Sequence, residues 1–163
     1  MNENRSVANR PDLELETLLV GIGNSGRGDD GLGWAFLDRV QQETTFGGPI
    51  EYRYQLQIED AALISDVEQV IFIDSYRGDL SNGFQLTRCE PLEEFAFTTH
   101  VLPPGAVLSL CRDIYGKSPR SDVLMIQGTS WDLRIGMSPE AERYLENALQ
   151  FFRSYWLAPG PHD

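Results

Sequence analysis

Apolar positions fall into short blocks along the chain, and the spacing inside the blocks alternates between two periods. Residues 17–21 read TLLVG, an unbroken apolar run closed by glycine, the pattern of a strand buried on both faces. After a glycine-rich stretch, Trp34, Phe36, Leu37 and Val40 recur at helical spacing up to the break at Phe46-Gly47-Gly48-Pro49. Residues 50–56 alternate like a second strand, and Ala61, Leu63, Ile64 and Val67 predict a short helix. VIFID at 70–74 is an apolar run capped by a carboxylate and predicts a central strand of a parallel sheet. Further strands are expected over 84–89, after the Ser81-Asn82-Gly83 turn, and over 122–127. Pro103 and Pro104 can open a helix whose apolar face carries Val107, Leu108, Cys111 and Ile114. Ser138-Pro139-Glu140 combines a capping hydroxyl, a first-turn proline and an acid at the positive end of the helix dipole. Ala141, Tyr144, Leu145, Ala148, Phe152, Tyr155 and Trp156 then mark one face of a long helix.

Strands alternating with helices imply a mostly parallel sheet covered on both sides. The predicted fold class is therefore α/β: a three-layer sandwich around a twisted sheet of about five strands. At 163 residues the chain suits a single domain with a real core, residues 1–16 and 157–163 being read as loose ends. No apolar run is long enough for membrane insertion, and the polar start lacks the apolar segment of a signal peptide, so a cytoplasmic location is expected. A net charge of −12 without a basic stripe argues against nucleic acid as a partner. Cys89 and Cys111 are too few for a disulfide scaffold or a thiolate metal cluster.

Gly21-Ile22-Gly23-Asn24-Ser25-Gly26 matches the GxGxxG pattern of dinucleotide-binding loops, in which bare backbone N–H groups and a helix N-terminus receive a pyrophosphate. Here the loop runs on through Arg27-Gly28 to Asp29 and Asp30, whose carboxylates would repel phosphates. The second strand also fails to end in the acid expected to hold a ribose. Asp29 and Asp30 admit two readings, as acids stabilising a helix start or as functional groups. The density of glycine around them suggests a tight backbone that leaves space for a substrate.

Gly23-Asn24-Ser25 followed by Gly28-Asp29-Asp30-Gly31-Leu32-Gly33 resembles the N-terminal signature of the hydrogenase maturation endopeptidases. IFIDS at 71–75, Thr99-His100, residues 123–128 and Met137-Ser138-Pro139-Glu140 continue the resemblance in order, so that it spans roughly residues 18–152. The resemblance implies one maturation-protease-like domain that removes the C-terminal extension of a nickel-iron hydrogenase large-subunit precursor after nickel insertion. It also implies that Asp30, Asp74 and His100 contact the metal, a nickel ion carried by the substrate, with another divalent metal possible at the same site. The family often has a large apolar residue after Gly-Asn, where this chain has Ser25-Gly26-Arg27, a difference that bears on substrate contacts rather than on ligands.

The residue types suit that chemistry. Carboxylate and imidazole together bind borderline divalent metals such as nickel and zinc. His162 lies in a Pro/Gly-rich tail, leaving His100 as the internal candidate, and no HExxH helix is present. In a parallel sheet the carboxylates after the strands at 18–21 and 70–74 share the C-terminal edge, where open α/β sheets place ligands. Either Asp30 or Asp74 could serve as general base. Each residue also has a purely structural reading: Asp30 as a cap, Asp74 bonded to a loop, His100 bonded to backbone. Two other mechanisms stay in view, a cysteine protease pairing Cys111 or Cys89 with His100, and a catalytically silent module that holds a metalloprotein or its chaperone. Arg27 and Arg77 could balance the two acids or grip a substrate chain. The sequence leaves the oligomeric state open.

Overall fold

A computed structural model of the chain describes residues 15–93 and 102–156. It contains a five-stranded sheet in the order β2-β1-β3-β5-β4, built from β1 (Thr17–Ile22), β2 (Ile50–Arg53), β3 (Gln69–Arg77), β4 (Phe84–Arg88) and β5 (Arg120–Gly128). β1 pairs in parallel with β2 and β3, β3 pairs in parallel with β5, and only the edge strand β4 runs antiparallel. Helices α1 (Leu32–Glu43), α2 (Asp60–Ser65) and α3 (Pro104–Leu110) lie between strands, and α4 (Pro139–Trp156) follows β5. The expected α/β sandwich is therefore present, with helices on both faces of a mostly parallel sheet.

The strand runs that read as continuously apolar in sequence divide by parity between two cores, as the pleat requires. Leu19, Ile71, Ile73, Leu124 and Ile126 pack under α1 and α4. Leu18, Val20, Val70 and Phe72 face the other way, toward Ala61 and Ile64 of α2 and Val107 and Leu108 of α3. The long helix buries Ala141, Leu145, Ala148, Leu149 and Phe152 along one stripe, which is the expected face with Leu149 added.

Three elements depart from their expected extents, each for a local reason. β2 stops at Arg53 rather than residue 56, because Tyr54 turns onto the Trp34 ring (centroids 5.0 Å apart) and Leu56 enters the core. β3 continues past Asp74 to Arg77, held by its register with β5 as far as the Arg77–Gly128 pair. The helix that begins at Pro104 widens into a π-helical turn over Cys111–Tyr115, closed by Gly116 at φ +64°. The wider turn keeps Cys111 buried but rotates Ile114 out to 57% exposure, so Ile114 is not on the apolar face.

Gly33 sets how closely α1 lies on the sheet. A Cβ there would stand 2.5 Å from the Ile73 carbonyl oxygen and 2.6 Å from that of Ile22. The backbone of α1 thus rests against β1 and β3 at the end where the glycine loop emerges. Among the described residues no helix is long and apolar enough to cross a membrane.

Candidate active site

The loop between β1 and α1 is bound to itself and to its neighbours at almost every amide. Gly23 N–H donates to Arg53 O (2.9 Å), Asn24 N–H to Asp30 O (3.2 Å), and Arg27 N–H to Asn24 O (3.1 Å). Gly26 N–H donates to the Asn24 side-chain oxygen at 2.8 Å. Gly28 N–H reaches Arg134 O (2.9 Å), Asp29 N–H reaches Ser130 O (2.8 Å), and Asp30 N–H reaches Arg27 O (3.1 Å). A pyrophosphate would need these donors free, so the loop does not offer the cradle that its GxGxxG spacing suggested.

The glycines have a different use from the one expected. Gly23, at φ +147°, would place a Cβ 1.9 Å from the Asp30 carbonyl oxygen, and Gly28, at φ +57°, would place one 2.7 Å from that of Ser130. The space they leave is filled by the protein's own backbone rather than kept for a substrate. What the tight packing achieves is placement of the short 3-10 turn Gly28–Gly31, which carries both acids.

That turn sends its two acids in different directions. Asp29 is fully buried. Its Oδ1 accepts from Ser138 N–H at 2.7 Å, while its Oδ2 accepts from Thr129 N–H (2.7 Å), Ser130 N–H (2.8 Å) and the Ser138 hydroxyl (2.7 Å). Burial alone would raise its pKa, but the donors from Ser138, Thr129 and Ser130 prevail and hold it below the ordinary value. Ser138 also caps α4, its Oγ accepting from Ala141 N–H at 3.2 Å. One carboxylate therefore ties the glycine loop to the end of β5 and the start of α4. Neither acid caps α1, whose N-cap is Gly31 without a side-chain bond.

Asp30 points the other way, into an open cleft of about 500 Å³ lined by Arg27, Asp30, Asp74, Ser75, Tyr76, Arg77 and Trp131. Asp74 arrives there from β3, next in the chain to the buried Ile73. Ser75 links the two: its N–H donates to Asp74 Oδ1 at 2.8 Å and its hydroxyl to Asp30 Oδ1 at 3.4 Å. Burial pushes the Asp74 carboxyl up to about 7, outweighing the Ser75 N–H, and the negative charge of Asp30 pushes the same way. A carboxyl that titrates near neutrality beside a second carboxylate can exchange a proton with water or with a leaving group. The same pair of oxygens can face a cation, which would relieve their repulsion.

Of the three residues singled out by sequence, Asp30 and Asp74 come together in this cleft. His100 and its neighbours Phe95, Phe97 and Thr99 lie outside the described residues, as do His162 and nearly all of the two chain ends read as loose. Among the described residues alone, no group of three or more His, Cys, Asp or Glu could hold a metal, so the two aspartates need a further ligand. The cysteines stand elsewhere. Cys111 is buried in the core, and Cys89 N–H bonds Ser121 O at 2.9 Å near the start of β5, the opposite end of that strand from the cleft. Burial, with the charges of Glu90 and Asp122, raises the Cys89 thiol to about 11, the wrong direction for a nucleophile.

Sequence patterning missed Ser75, Tyr76 and Trp131. Ser75 follows Asp74 directly, and nothing in the apolar pattern distinguishes it from the end of a strand. Trp131 sits in an irregular segment after β5, where no periodicity marks it.

Comparison with solved structures then decides the architecture. The maturating endopeptidase HybD of Escherichia coli superposes with a TM-score of 0.69 at 19% identity, covering 89% of this chain and 94% of its own. The [NiFe] hydrogenase maturation protease HycI of Thermococcus kodakarensis KOD1 gives 0.66 at 20% identity, covering 88% and 94%. The chain has the hydrogenase maturation protease fold. The sequence resemblance to the same proteins also stands. A Methanocaldococcus jannaschii protein, itself provisionally assigned as a hydrogenase maturation protease, is 23% identical over 149 residues, or 83% of this chain and 92% of that protein. No family model matches the chain. On the maturation-protease fold, the cleft with Asp30 and Asp74 lies at the C-terminal edge of β1 and β3, beyond the last pair of their register, Gly21–Ile73.

Proposed function

We propose that this protein is a cytoplasmic endopeptidase that removes the C-terminal extension of a nickel-iron hydrogenase large-subunit precursor after nickel insertion. The observation that carries the proposal is the meeting of Asp30 and Asp74 in one cleft on the maturation-protease fold. These are two of the three residues that the family resemblance implies as metal contacts, brought together from segments 44 positions apart, counting from 30 to 74. Asp30, Asp74 and His100 supply a mixed carboxylate and imidazole set suited to a borderline metal. The nickel belongs to the substrate, and contact with it would position the scissile bond and polarise its carbonyl.

The chain's own residues then do the proton work. One aspartate takes a proton from the attacking water as its oxygen bonds the carbonyl carbon. The proton returns to the amide nitrogen as the C–N bond breaks.

Intact-mass measurement of a nickel-loaded large-subunit precursor, incubated with the protein, tests the reading. A single C-terminal truncation is expected, lost on Asp30→Asn and on His100→Ala with folding retained. A precursor that stays whole, yet is cut by an established maturation protease, would instead support a silent binding module on the same fold. Full activity in either variant would remove that residue from the site.

A further inference from the structure

Among the described residues, six of the ten arginines have an acidic partner. Arg39 bonds Glu43 and Glu146, Arg53 bonds Glu51 and Asp60, and Arg88, Arg112 and Arg153 each have an acid within 4 Å. Arg27 and Arg77 are different. Both are exposed and line the cleft, and neither has an ion pair among the described residues, although two aspartates share the cleft with them. Nearby acids are held by neutral partners: Asp79 accepts from Gln127 and Asp132 from the Ser130 hydroxyl, each at 3.4 Å.

Arg77 is also held in place. Its Cζ lies 4.1 Å from the centroid of the Trp131 ring. Stacking occupies the face of a guanidinium and leaves its edge, with the forked N–H donors, available for a planar acceptor. Trp131 in turn packs over Gly128, where a Cβ would stand 3.0 Å from the indole. Arg134, on the same segment as Trp131, likewise has no ion pair among the described residues, and its carbonyl anchors Gly28.

We propose that Arg27 and Arg77, backed by Trp131, form a carboxylate-binding subsite beside the two aspartates that grips an acidic group of the peptide being cut. A carboxylate is the chemistry that fits a guanidinium seated on an indole with a second arginine lining the same open cleft, because it accepts two parallel N–H bonds. The group is either a Glu or Asp side chain or the terminal carboxylate of the extension. That the bound peptide is a protease substrate rests on the function proposed above; carboxylate binding itself does not.

The test uses the full-length protein labelled with ¹⁵N, observing the arginine Nε–H and tryptophan indole N–H signals. It is titrated with four hexapeptides that carry either Glu or Gln and end in either a free or an amidated terminus. Saturable shifts of Arg77 and Trp131 are expected with the Glu peptides, the free-terminus peptides or both, weakening as salt rises. Which pair responds identifies the source of the carboxylate. The Gln peptide with an amidated terminus should give none, and Arg27→Gln with Arg77→Gln should abolish the response. In precursor cutting, each substitution is expected to raise KM about threefold and the pair about tenfold, with kcat little changed, as suits exposed charge pairs. Arg143→Gln, on α4, is the control and should cut as the unaltered protein does.

Equal shifts with Glu and Gln peptides whatever the terminus, or no shifts at all, would overturn the subsite even if the precursor is cut. Shifts as expected with a precursor that stays whole would uphold the subsite and remove the protease reading.

Discussion

Asp29 and Asp30 are chemically identical neighbours with opposite tasks, and their surroundings rather than their spacing assign them. Asp29 is enclosed by four close donors from Thr129, Ser130 and Ser138, whereas Asp30 meets one hydroxyl across an open cleft. Asp29→Asn replaces an acceptor-only group with one that must turn an N–H₂ toward a buried N–H donor. Destabilisation of about 3 kcal/mol is expected in denaturant melts, since buried bonds to a charged group are costly to break. The sign with pH follows from the lowered pKa. The contribution of Asp29 is complete above the unfolded value of 3.8 and is lost as pH falls through the lower folded value. The difference between the unaltered and Asn forms should therefore shrink in acid. A loss that persisted unchanged at low pH would argue against this assignment. None of this division was legible in the sequence, because the donors to Asp29 lie about a hundred positions away.

At the scale of elements, periodicity gave helix and strand identity well and boundaries less well. The parity split of the β1 and β3 runs between two cores follows from the pleat, and the Ser138 cap formed as its residue types require. Boundaries failed where a tertiary contact took over: Tyr54 on Trp34 ends β2, and register with β5 lengthens β3. The π-helical turn at Cys111–Tyr115 has no local signature, so helical spacing alone puts Ile114 on the wrong side. The seat of α1 on the sheet depends on Gly33. Gly33→Ala would drive a methyl group into two carbonyl oxygens that belong to strands and cannot swing aside. A stability loss of about 3 kcal/mol is expected, together with a displaced Asp30 and reduced cutting. Unchanged melting and unchanged activity would show that the helix can lift without cost.

For the whole molecule, the α/β architecture and the sheet edge that carries the candidate site followed from the order of strands and helices, while Asp30 and Asp74 as candidates needed the family resemblance. One buried charge elsewhere shapes global stability. Asp122 is fully buried in β5, neither carboxyl oxygen accepts a hydrogen bond among the described residues, and Arg120 Nε stands 3.9 Å away. Burial raises its pKa to about 6, against lowering by Arg120 and Arg88 and with some raising by Glu90. A raised carboxyl stabilises the fold fully below the unfolded value near 3.8, and that contribution is lost as pH climbs to about 6. The gap corresponds to roughly 3 kcal/mol. Asp122→Asn is therefore expected to gain stability relative to the unaltered protein between pH 4 and pH 6 and to hold the gain above, as read from melting curves across that range. A constant difference with pH would mean that Asp122 is ionised in the fold throughout.

The glycine loop carries a last consequence. Its amides at Gly23, Asn24, Gly26, Arg27, Gly28, Asp29 and Asp30 are all committed within the protein, so the loop has little conformational entropy left to surrender when a ligand arrives. Ordering of this segment would then cost a ligand little on association. On the proposed function, discrimination would fall to the side chains along the rim and to the rearrangement of the incoming peptide itself.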